Sequence, residues 1–424
     1  MGCPSCWRYL YGEKSTRLEM KIVMREETCR GKLMLTAIIV KGGRVMEFEL
    51  TAEQLELREW AHGFAEKEIR PVAAYYDEHE EMPWDVLKKA AKIGLLAYAI
   101  PETYGGSGVS SLLTSLVVAE ELFWGCAGIA TAMGGIGLAS LPILEMGSDE
   151  QKQQWLPLFT DPDQPRMGAM CLTEPEAGSD VVNMSTKAVR EGDEYIINGT
   201  KTFITNGGIA DVYVVFAKTD PAGGYTGVSA FVMDGKTEGI SSSKKFKKLG
   251  LRASHTAEVR FDNVRVSAQN RLGPENMAFI GAMKMLEHSR PSVAIAAVGV
   301  ARAAYEYALQ YSKERVQFGK PIYHNQAISF SLADMLTKID SGRLLAYRAA
   351  WLADNQKSCN LEGSMAKAFC GDMAMDVATQ AVQILGGYGY MREYPVEKWF
   401  RDAKIMSIYE GTSQIQKRVM TRIM

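Results

Sequence analysis

The spacing of the apolar residues changes twice along the chain, and this change constrains the fold more than any other feature. Apolar residues recur at helical spacing from Leu50 to about position 166, alternate between about 168 and 270, and return to helical spacing after Asn276. A helix repeats about every 3.6 residues and a strand every two, so the pattern predicts helices, then strands, then helices. We therefore predict an α+β fold with an N-terminal helical domain, a middle β-sandwich or barrel domain and a C-terminal four-helix bundle.

The N-terminal helical stretch carries signals for about five helices. Thr51 is typical of a helix N-cap, and Pro71 is predicted to end that first helix because proline removes a backbone donor. The five predicted helices begin near Thr51, Pro83, Leu112, Ala127 and Ser148.

The middle stretch predicts several short strands. Asn198-Gly199 favours a tight turn, so residues 195–204 are predicted to form a hairpin. Further strands are predicted at 212–217, 227–232 and 257–261, and Asp262-Asn263 is predicted as a turn that leads out of the sheet.

Three long helices are predicted near the C-terminus, at 289–313, 325–355 and 365–385. Each exceeds the typical length of about eleven residues, as helices of a bundle often do. The predicted domains are therefore 46–166, 167–275 and 276–424.

Residues 1–45 differ from the rest in being rich in basic side chains. They have no apolar core and cleavage site of a secretory signal, but an organelle transit peptide remains open. We favour a third reading, in which Met46 is the native start, and we expect 1–45 to lie outside the fold.

The charge balance argues against nucleic-acid binding. The chain has 48 basic and 50 acidic residues, whereas nucleic-acid binders usually carry a basic excess. We find no run of eighteen apolar residues and expect no membrane span. The seven cysteines have no disulfide spacing, and Cys3-x-x-Cys6 lacks a second pair, so we expect a reducing compartment and no metal site.

One acidic residue near the C-terminus is a candidate for chemistry. Glu410 precedes Gly411, and Ser413 with Gln416 predicts a capping box that opens a short final helix. A glutamate in this position commonly does no more than complement a helix dipole. The turn also allows its carboxylate to face a cavity.

Four motifs together resemble the signatures of the acyl-CoA dehydrogenases. They are CLTEPEAGSD at 171–180, RVQFGKPI at 315–322 with Gln326, QILGGYGY at 383–390 and YEGTSQ at 409–414. The resemblance runs in one order from about Met46 to Met424. It implies an FAD-dependent dehydrogenase of acyl-CoA thioesters.

The resemblance also implies where the FAD lies. Phe203 stands where the family commonly has tryptophan, and we expect its flat ring to preserve stacking. The residues that match the family's flavin-lining positions are Met170, Leu172, Thr173, Gly178, Ser179, Phe203, Ile204, Thr205, Thr412 and Gln414.

A second set of residues matches positions that reach the adenosine diphosphate part of a flavin held by a neighbouring subunit. Arginine suits a pyrophosphate, and paired glycines allow close backbone approach, although Gly386-Gly387 alone would more often mark a helix end. The family is commonly tetrameric, so we expect a homo-oligomer, a dimer of dimers. The residues are Arg315, Gln317, Phe318, Gln326, Gln383, Gly386 and Gly387.

By resemblance, Glu410 is the base that removes the pro-R α-hydrogen while the β-hydride passes to flavin N5. Its backbone N–H and a ribityl hydroxyl would hold the thioester oxygen. Some members place the base elsewhere, at a position that we align with Ser289, which leaves Glu410 as the base here.

The resemblance implies substrate contacts as well. The candidate residues are Ser179, Glu287, Arg290, Tyr409 and Gly411, and the acyl pocket is predicted to be floored by the helix with Thr131, Met133, Gly134 and Gly135. Glu287 is one methylene longer than the aspartate usual at its position. We expect short or medium straight acyl chains, with branched or cyclic groups open.

Family resemblance further implies electron-transfer flavoprotein as the electron acceptor. It places the enzyme in the cytoplasm of a bacterium or the mitochondrial matrix of a eukaryote. Two alternatives remain: an oxidase or flavin monooxygenase on the same fold, and a non-catalytic scaffold.

Overall fold

Helices and strands follow one another in the order that the apolar spacing predicts. The structure is a computed structural model that describes residues 49–424. The expected extension at 1–45, with three of the seven cysteines, lies outside the described residues.

In the described part of the chain, seven α-helices precede the first strand. The prediction that Pro71 ends the first helix is wrong, because a π-helical turn (Ala65–Ile69) and a 3₁₀ turn (Arg70–Val72) carry the chain past the proline in helical form. Proline is tolerated there because it occupies the start of a turn. The helices are α1 (Ala52–Phe64), α2 (Ala73–His79), α3 (Trp84–Lys92), α4 (Leu112–Gly125), α5 (Ala127–Met133), α6 (Gly137–Met146) and α7 (Asp149–Trp155). The predicted helix start near Ser148 is confirmed, and Ser148 and Gln151 form a capping box at the start of α7.

The middle of the chain forms one eight-stranded sheet. Its strands are β1 (Gly168–Cys171), β2 (Lys187–Glu191), β3 (Glu194–Thr205), β4 (Val212–Lys218), β5 (Val228–Asp234), β6 (Ile240–Ser242), β7 (Thr256–Ser267) and β8 (Arg271–Leu272). Seven of them lie in the order β6-β7-β3-β2-β4-β5-β8, and β1 pairs with β4 in parallel.

The predicted hairpin at Asn198-Gly199 is wrong, since β3 runs through both residues and pairs with β2 and β7. Gly199 instead permits a close approach, because a Cβ there would meet Thr186 Cα at 2.7 Å. The hairpin turn lies earlier, at Gly192-Asp193 between β2 and β3, where Gly192 has a φ of +61°.

The predicted exit turn at Asp262-Asn263 is also wrong, because β7 continues to Ser267. Asn263 is left-handed, with a φ of +53°, and its N–H donates to Asn198 Oδ1 at 2.8 Å. The two asparagines therefore form a matched irregularity across β3 and β7, and neither ends its strand.

Five α-helices and a short hairpin follow the sheet and make up the C-terminal part of the described chain. They are α8 (Ala278–Glu314), β9 (Val316–Gln317), β10 (Lys320–Pro321), α9 (Gln326–Asp354), α10 (Asn360–Leu385), α11 (Val396–Ala403) and α12 (Ser413–Ile423). The three predicted long helices are confirmed, and α8 begins eleven residues before the predicted start at 289.

Helix α8 is central to the apolar core. Its alanine-rich segment from Val293 to Ala304 is largely buried, and it packs with α4, α9 and α10. Between residues 49 and 424, two helical stretches, Ala127–Met146 and α8, are long and apolar enough to cross a membrane by length and composition. In each, 67% of the most apolar window is buried inside the protein, which is typical of core helices.

Candidate active site

Glu410 lies in a strained loop between α11 and α12. A 3₁₀ turn (Lys404–Ser407) leads into it, and Glu410 and Gly411 both have left-handed backbones, with φ of +54° and +90°. A left-handed glutamate is uncommon and costs free energy that the surroundings must supply.

Glu410 is half-buried. Ser289 Oγ, on α8, donates to its Oε2 at 3.1 Å. Burial raises the pKa of Glu410, while the Ser289 hydrogen bond and the charges of Lys367 and Arg290 oppose the rise. A carboxylate with a raised pKa is a stronger base than one in water.

Helix α10 packs against the loop that carries Glu410. Lys367 Nζ donates to the Gly411 carbonyl at 2.6 Å, and a Cβ on Gly371 would meet Met406 O at 2.7 Å. The helix and the loop therefore touch through their backbones.

The predicted capping box of Ser413 and Gln416 is wrong by one residue. Thr412 is the N-cap, and its Oγ1 accepts from the Ile415 N–H at 3.2 Å. Ser413 Oγ instead donates to Asp372 on α10, and Gln416 Nε2 donates to the Glu410 and Gly411 carbonyls at 3.3 and 3.1 Å.

Glu287 and Arg290 lie one helical turn apart on α8. Glu287 Oε1 accepts from Ser358 Oγ and from the Cys359 N–H, both at 2.7 Å, so it caps the start of α10. Arg290 is buried and donates to Asn360 and Ser364. Its Nε has no partner among residues 49–424, which leaves one buried donor available for a ligand.

The segment 171–180 begins at the end of β1 and continues as a loop that is anchored by hydrogen bonds of Glu174. Glu174 accepts from Lys201 Nζ at 2.9 Å, from the Ser185 N–H at 2.5 Å and from the Thr186 N–H at 2.9 Å. Gly178 and Ser179 are exposed at its tip, and a Cβ on Gly178 would meet nothing within 4 Å. The loop thus presents side-chain hydroxyls and accessible backbone groups, and the hydrogen bonds of Glu174 anchor it.

Phe203 lies on β3 beside this loop. Its side chain is 69% exposed on a left-handed backbone, with the Phe246 ring 5.8 Å away. Thr205 is partly exposed, whereas Ile204 is buried in the sheet core, so only its backbone remains available to a ligand. Such an exposed aromatic ring is suited to stacking against a flat ligand.

A cavity of about 540 Å³ opens between the end of α10 and the β9–β10 hairpin. Arg315 lies over the Tyr388 ring at 5.2 Å, and in residues 49–424 it forms no ion pair. A Cβ placed on Gly386 or Gly387 would meet no atom within 4 Å. Phe318 is 96% exposed. Gln317 also lines the cavity, which does not include Glu410.

Several predicted site residues lie apart from these contacts. Gln326, Gln383 and Gln414 are exposed and do not line the cavity. Of the two glycines predicted to floor the acyl pocket, Gly134 has open space where a Cβ would lie. At Gly135 the Asn206 side chain occupies that space. Met133 is buried, and Thr131 Oγ1 donates to the Ala127 carbonyl at 2.8 Å.

Sequence reasoning missed Lys367 and the Glu174–Lys201 pair. Lysines within apolar helical or strand patterns, with no neighbour in sequence to pair with, were the available signal. Only the fold brings their partners, which are 44 and 27 residues away, into contact.

Three family profiles match successive parts of the chain. The acyl-CoA dehydrogenase N-terminal domain matches residues 51–162, the middle domain 169–264 and the C-terminal domain 279–424. The matches follow the order of helices, sheet and helices.

Curated and solved proteins of full length are also similar. The short-chain specific acyl-CoA dehydrogenase of Clostridium acetobutylicum is 42% identical over 377 residues, which cover 89% of this chain and 99% of that protein. The caffeyl-CoA reductase-Etf complex subunit CarC of Acetobacterium woodii is 43% identical over 369 residues, 86% of this chain and 96% of that protein. The structure of butyryl-CoA dehydrogenase from Megasphaera elsdenii has 40% identity and a TM-score of 0.86, over 89% of this chain and 99% of that one.

Proposed function

The chain belongs to the acyl-CoA dehydrogenase family of FAD-dependent oxidoreductases, and from this premise we propose that it converts a short-chain acyl-CoA to the trans-2-enoyl-CoA. The observation that carries the proposal is the half-buried Glu410 carboxylate, which follows a left-handed backbone and accepts a hydrogen bond from Ser289. Such a group is placed and tuned to act as a base.

Glu410 is the proposed base for the α-hydrogen. The hydrogen next to a thioester is weakly acidic, so its removal needs a carboxylate whose proton affinity exceeds that of an exposed glutamate. Burial supplies this by raising the pKa of Glu410. Binding of an acyl chain against Glu410 would exclude water and raise this pKa further.

The backbone of the same residue is the proposed partner of the thioester oxygen. Among the hydrogen bonds of the described chain, the Glu410 N–H has no protein acceptor. A free donor beside the base is suited to stabilise the negative charge that develops on the oxygen.

The residues around β1 and β3 fit the isoalloxazine part of FAD. When bound, the flavin supplies the acceptor for the β-hydride. The open Gly178 backbone, the Thr173 and Ser179 hydroxyls, and the exposed Phe203 ring would hold it. Met170, Leu172 and Thr205 are partly exposed and complete the proposed contact.

The cavity at Arg315 and Gly386-Gly387 fits a pyrophosphate of a second copy's cofactor. Its support is the guanidinium without an ion pair in the described chain, the open glycine backbone and the exposed Phe318. We propose a homo-oligomer on this ground, with a tetramer expected from family resemblance.

The relatives support a short acyl chain and electron-transfer flavoprotein as the acceptor. The Clostridium protein is described as short-chain specific, and the Acetobacterium protein as a subunit of an Etf complex. Arg290, with its unpartnered buried Nε, is the stronger candidate for a substrate contact, since Glu287 Oε1 is already occupied by the start of α10.

A bleaching assay tests the proposal. Protein purified with FAD should be yellow and should lose its colour on anaerobic addition of butyryl-CoA. Glu410→Gln should keep the colour and bleach roughly 10²- to 10⁴-fold more slowly. Glu53→Gln, an exposed change on α1, is the matched control and should bleach normally.

Other outcomes would point elsewhere. Full bleaching by Glu410→Gln would place the base on another residue, and a colourless protein that takes up no FAD would favour the scaffold. Rapid recolouring in air would favour an oxidase. A turnover panel with an artificial electron acceptor across straight and branched acyl-CoA substrates would define the acyl group.

A further inference from the structure

Lys367 is a buried ammonium group at the middle of α10. Its residue exposure is 0%, and its Nζ donates to the Gly411 carbonyl at 2.6 Å. Within residues 49–424 it forms no direct ion pair. Burying a charge without such a partner is costly, so this lysine has a role other than filling the core.

Lys367 donates to the carbonyl of Gly411, the residue that directly follows Glu410. Glu410 and Gly411 both have left-handed backbones, which persist only where the surroundings hold them. The Gly411 carbonyl accepts from Lys367 Nζ and from Gln416 Nε2, so two donors fix its direction. Both donors are buried; Gln416 is a neutral amide on α12, whereas Lys367 is an amine on α10 that can carry a charge.

The Lys367 ammonium group is one of the two positive charges that act on the Glu410 carboxylate, and Arg290 carries the other. Glu410 faces Ser289 and Arg290 from α8 and Lys367 from α10, with Tyr409 beside it on its own loop. Lys367 in turn faces Glu410, Asp372 and Arg290. Burial lowers the pKa of Lys367 to about 8, while Glu410 and Asp372 oppose the fall.

We propose that Lys367 is a positioning residue for the base: it fixes the Glu410–Gly411 turn through the Gly411 carbonyl and keeps a positive charge beside the carboxylate. The inference rests on the proposed function of Glu410. Without Lys367 the carboxylate would lose both its fixed direction and an opposing charge, so its pKa would rise and fewer molecules would carry the active form at neutral pH.

Lys367→Met tests the proposal, because methionine has similar length but neither charge nor donor. With bound FAD and butyryl-CoA, we expect kcat to fall roughly tenfold to a hundredfold with little change in KM. The midpoint of the acidic limb of the kcat profile should move up by about one pH unit. Lys367→Arg should restore the midpoint, and Lys236→Met, in the exposed turn after β5, is the charge-matched control.

A purely structural role predicts a different result. Lys367→Met would then lower the melting temperature while its remaining activity kept the original pH midpoint, and that outcome would overturn the proposal. An unchanged kcat would do the same. If Lys367→Met does not fold, Lys367→Gln, which keeps a neutral donor, gives the same comparison of pH midpoints.

Failure of this inference is distinct from failure of the proposed function. Full activity in Glu410→Gln would show that Glu410 is not the base and would reject the proposed function. Inactive Glu410→Gln together with an unshifted pH midpoint in Lys367→Met would leave the base in place and reject the role of Lys367 alone.

Discussion

The Glu410 carboxylate is balanced between burial and three groups that stabilise its charge. Burial is the largest influence on its pKa and raises it, and the Ser289 hydroxyl is the strongest of the opposing ones. Its strength as a base therefore depends on neighbours that need never touch the substrate.

Removal of the Ser289 hydroxyl should shift the pH dependence of the enzyme. Only the ionised form of Glu410 can accept a proton, so activity falls as pH falls through its pKa. Ser289→Ala removes the 3.1 Å hydrogen bond, so this pKa should rise and activity should be lost at a higher pH, by up to about one unit. The kcat/KM profile of the variant measures the shift. Ser241→Ala on the exposed β6 strand is the control, and coincident profiles for both variants would contradict the expectation.

The Glu174–Lys201 pair should contribute to stability in a pH-dependent way. Both side chains are buried, and although burial alone would raise the pKa of Glu174, Lys201 and the Ser185 and Thr186 hydrogen bonds lower it to about 2. The folded-state pKa lies below the unfolded one of about 4.3. The stabilisation is therefore present above about pH 4.3 and is lost as the pH falls toward 2.

Glu174→Gln should leave Lys201 buried without its ion pair. We expect the free energy of unfolding at pH 7 to fall by about 3–5 kcal/mol, with a weaker acid dependence than the parent. Denaturant titration measures both. Glu176→Gln, an exposed change in the same loop, should stay close to the parent, and equal losses in the two variants would argue against the buried pair as the cause.

At the scale of elements, α10 and the 3₁₀ turn before Glu410 are in direct backbone contact. Gly371→Ala should displace this turn, because the added Cβ would lie 2.7 Å from Met406 O and 3.0 Å from its carbonyl carbon. Since both atoms are backbone, the loop must move, and we expect kcat to fall at least about tenfold.

The matched change is Gly63→Ala in α1, where a Cβ would meet nothing within 4 Å. Alanine favours a helix by about 0.5–1 kcal/mol over glycine, so this variant should be slightly more stable and fully active. Turnover and thermal unfolding compare the two. A fully active Gly371→Ala would mean that the contact with Met406 is dispensable.

Helices with long apolar repeats could be predicted from the sequence, whereas the positions of turns and helix caps were predicted less well. The three long C-terminal helices follow from spacing alone. Asn198-Gly199 has the sequence of a hairpin turn, yet pairing of β3 with strands on both sides outweighs the local preference. Likewise, Asp372 draws the Ser413 hydroxyl away from the cap, so Thr412 takes that place.

At the scale of the whole molecule, the Arg315 cavity has one side open to solvent. Phe318, at the tip of the β9–β10 hairpin, is almost wholly exposed. An exposed aromatic ring of this kind is typical of a subunit interface.

Phe318→Ser should therefore weaken assembly and FAD retention together. The side chain makes little contact within its own chain, so the fold of the subunit should be unaffected. Light scattering should give a lower mass, and the FAD content after gel filtration should fall severalfold. Tyr225→Ser, which removes another exposed ring, is the control. Unchanged mass and FAD content in Phe318→Ser would contradict the proposed interface.

The order of helices, sheet and helices was predictable because it depends on periodicity, which a single sequence carries. Glu410 could be singled out because Gly411 and the following helix mark its turn. The contacts that tune it, from Ser289 and Lys367, depend on packing between elements more than forty residues apart in sequence and could not be predicted. The domain limits at 46–166, 167–275 and 276–424 stay predictions, as does the cytoplasmic or mitochondrial location.

Helix α10 has 26 residues, and its middle and its C-terminal end contact different sites. Lys367 and Gly371 support the loop of the base, whereas Gly386 lies in the cavity proposed for a second copy's cofactor. One residue inserted between them would turn the far end by about 100° and lengthen the helix by about 1.5 Å. The number of residues from Gly371 to Gly386 should therefore tolerate no insertion or deletion, however freely their side chains vary.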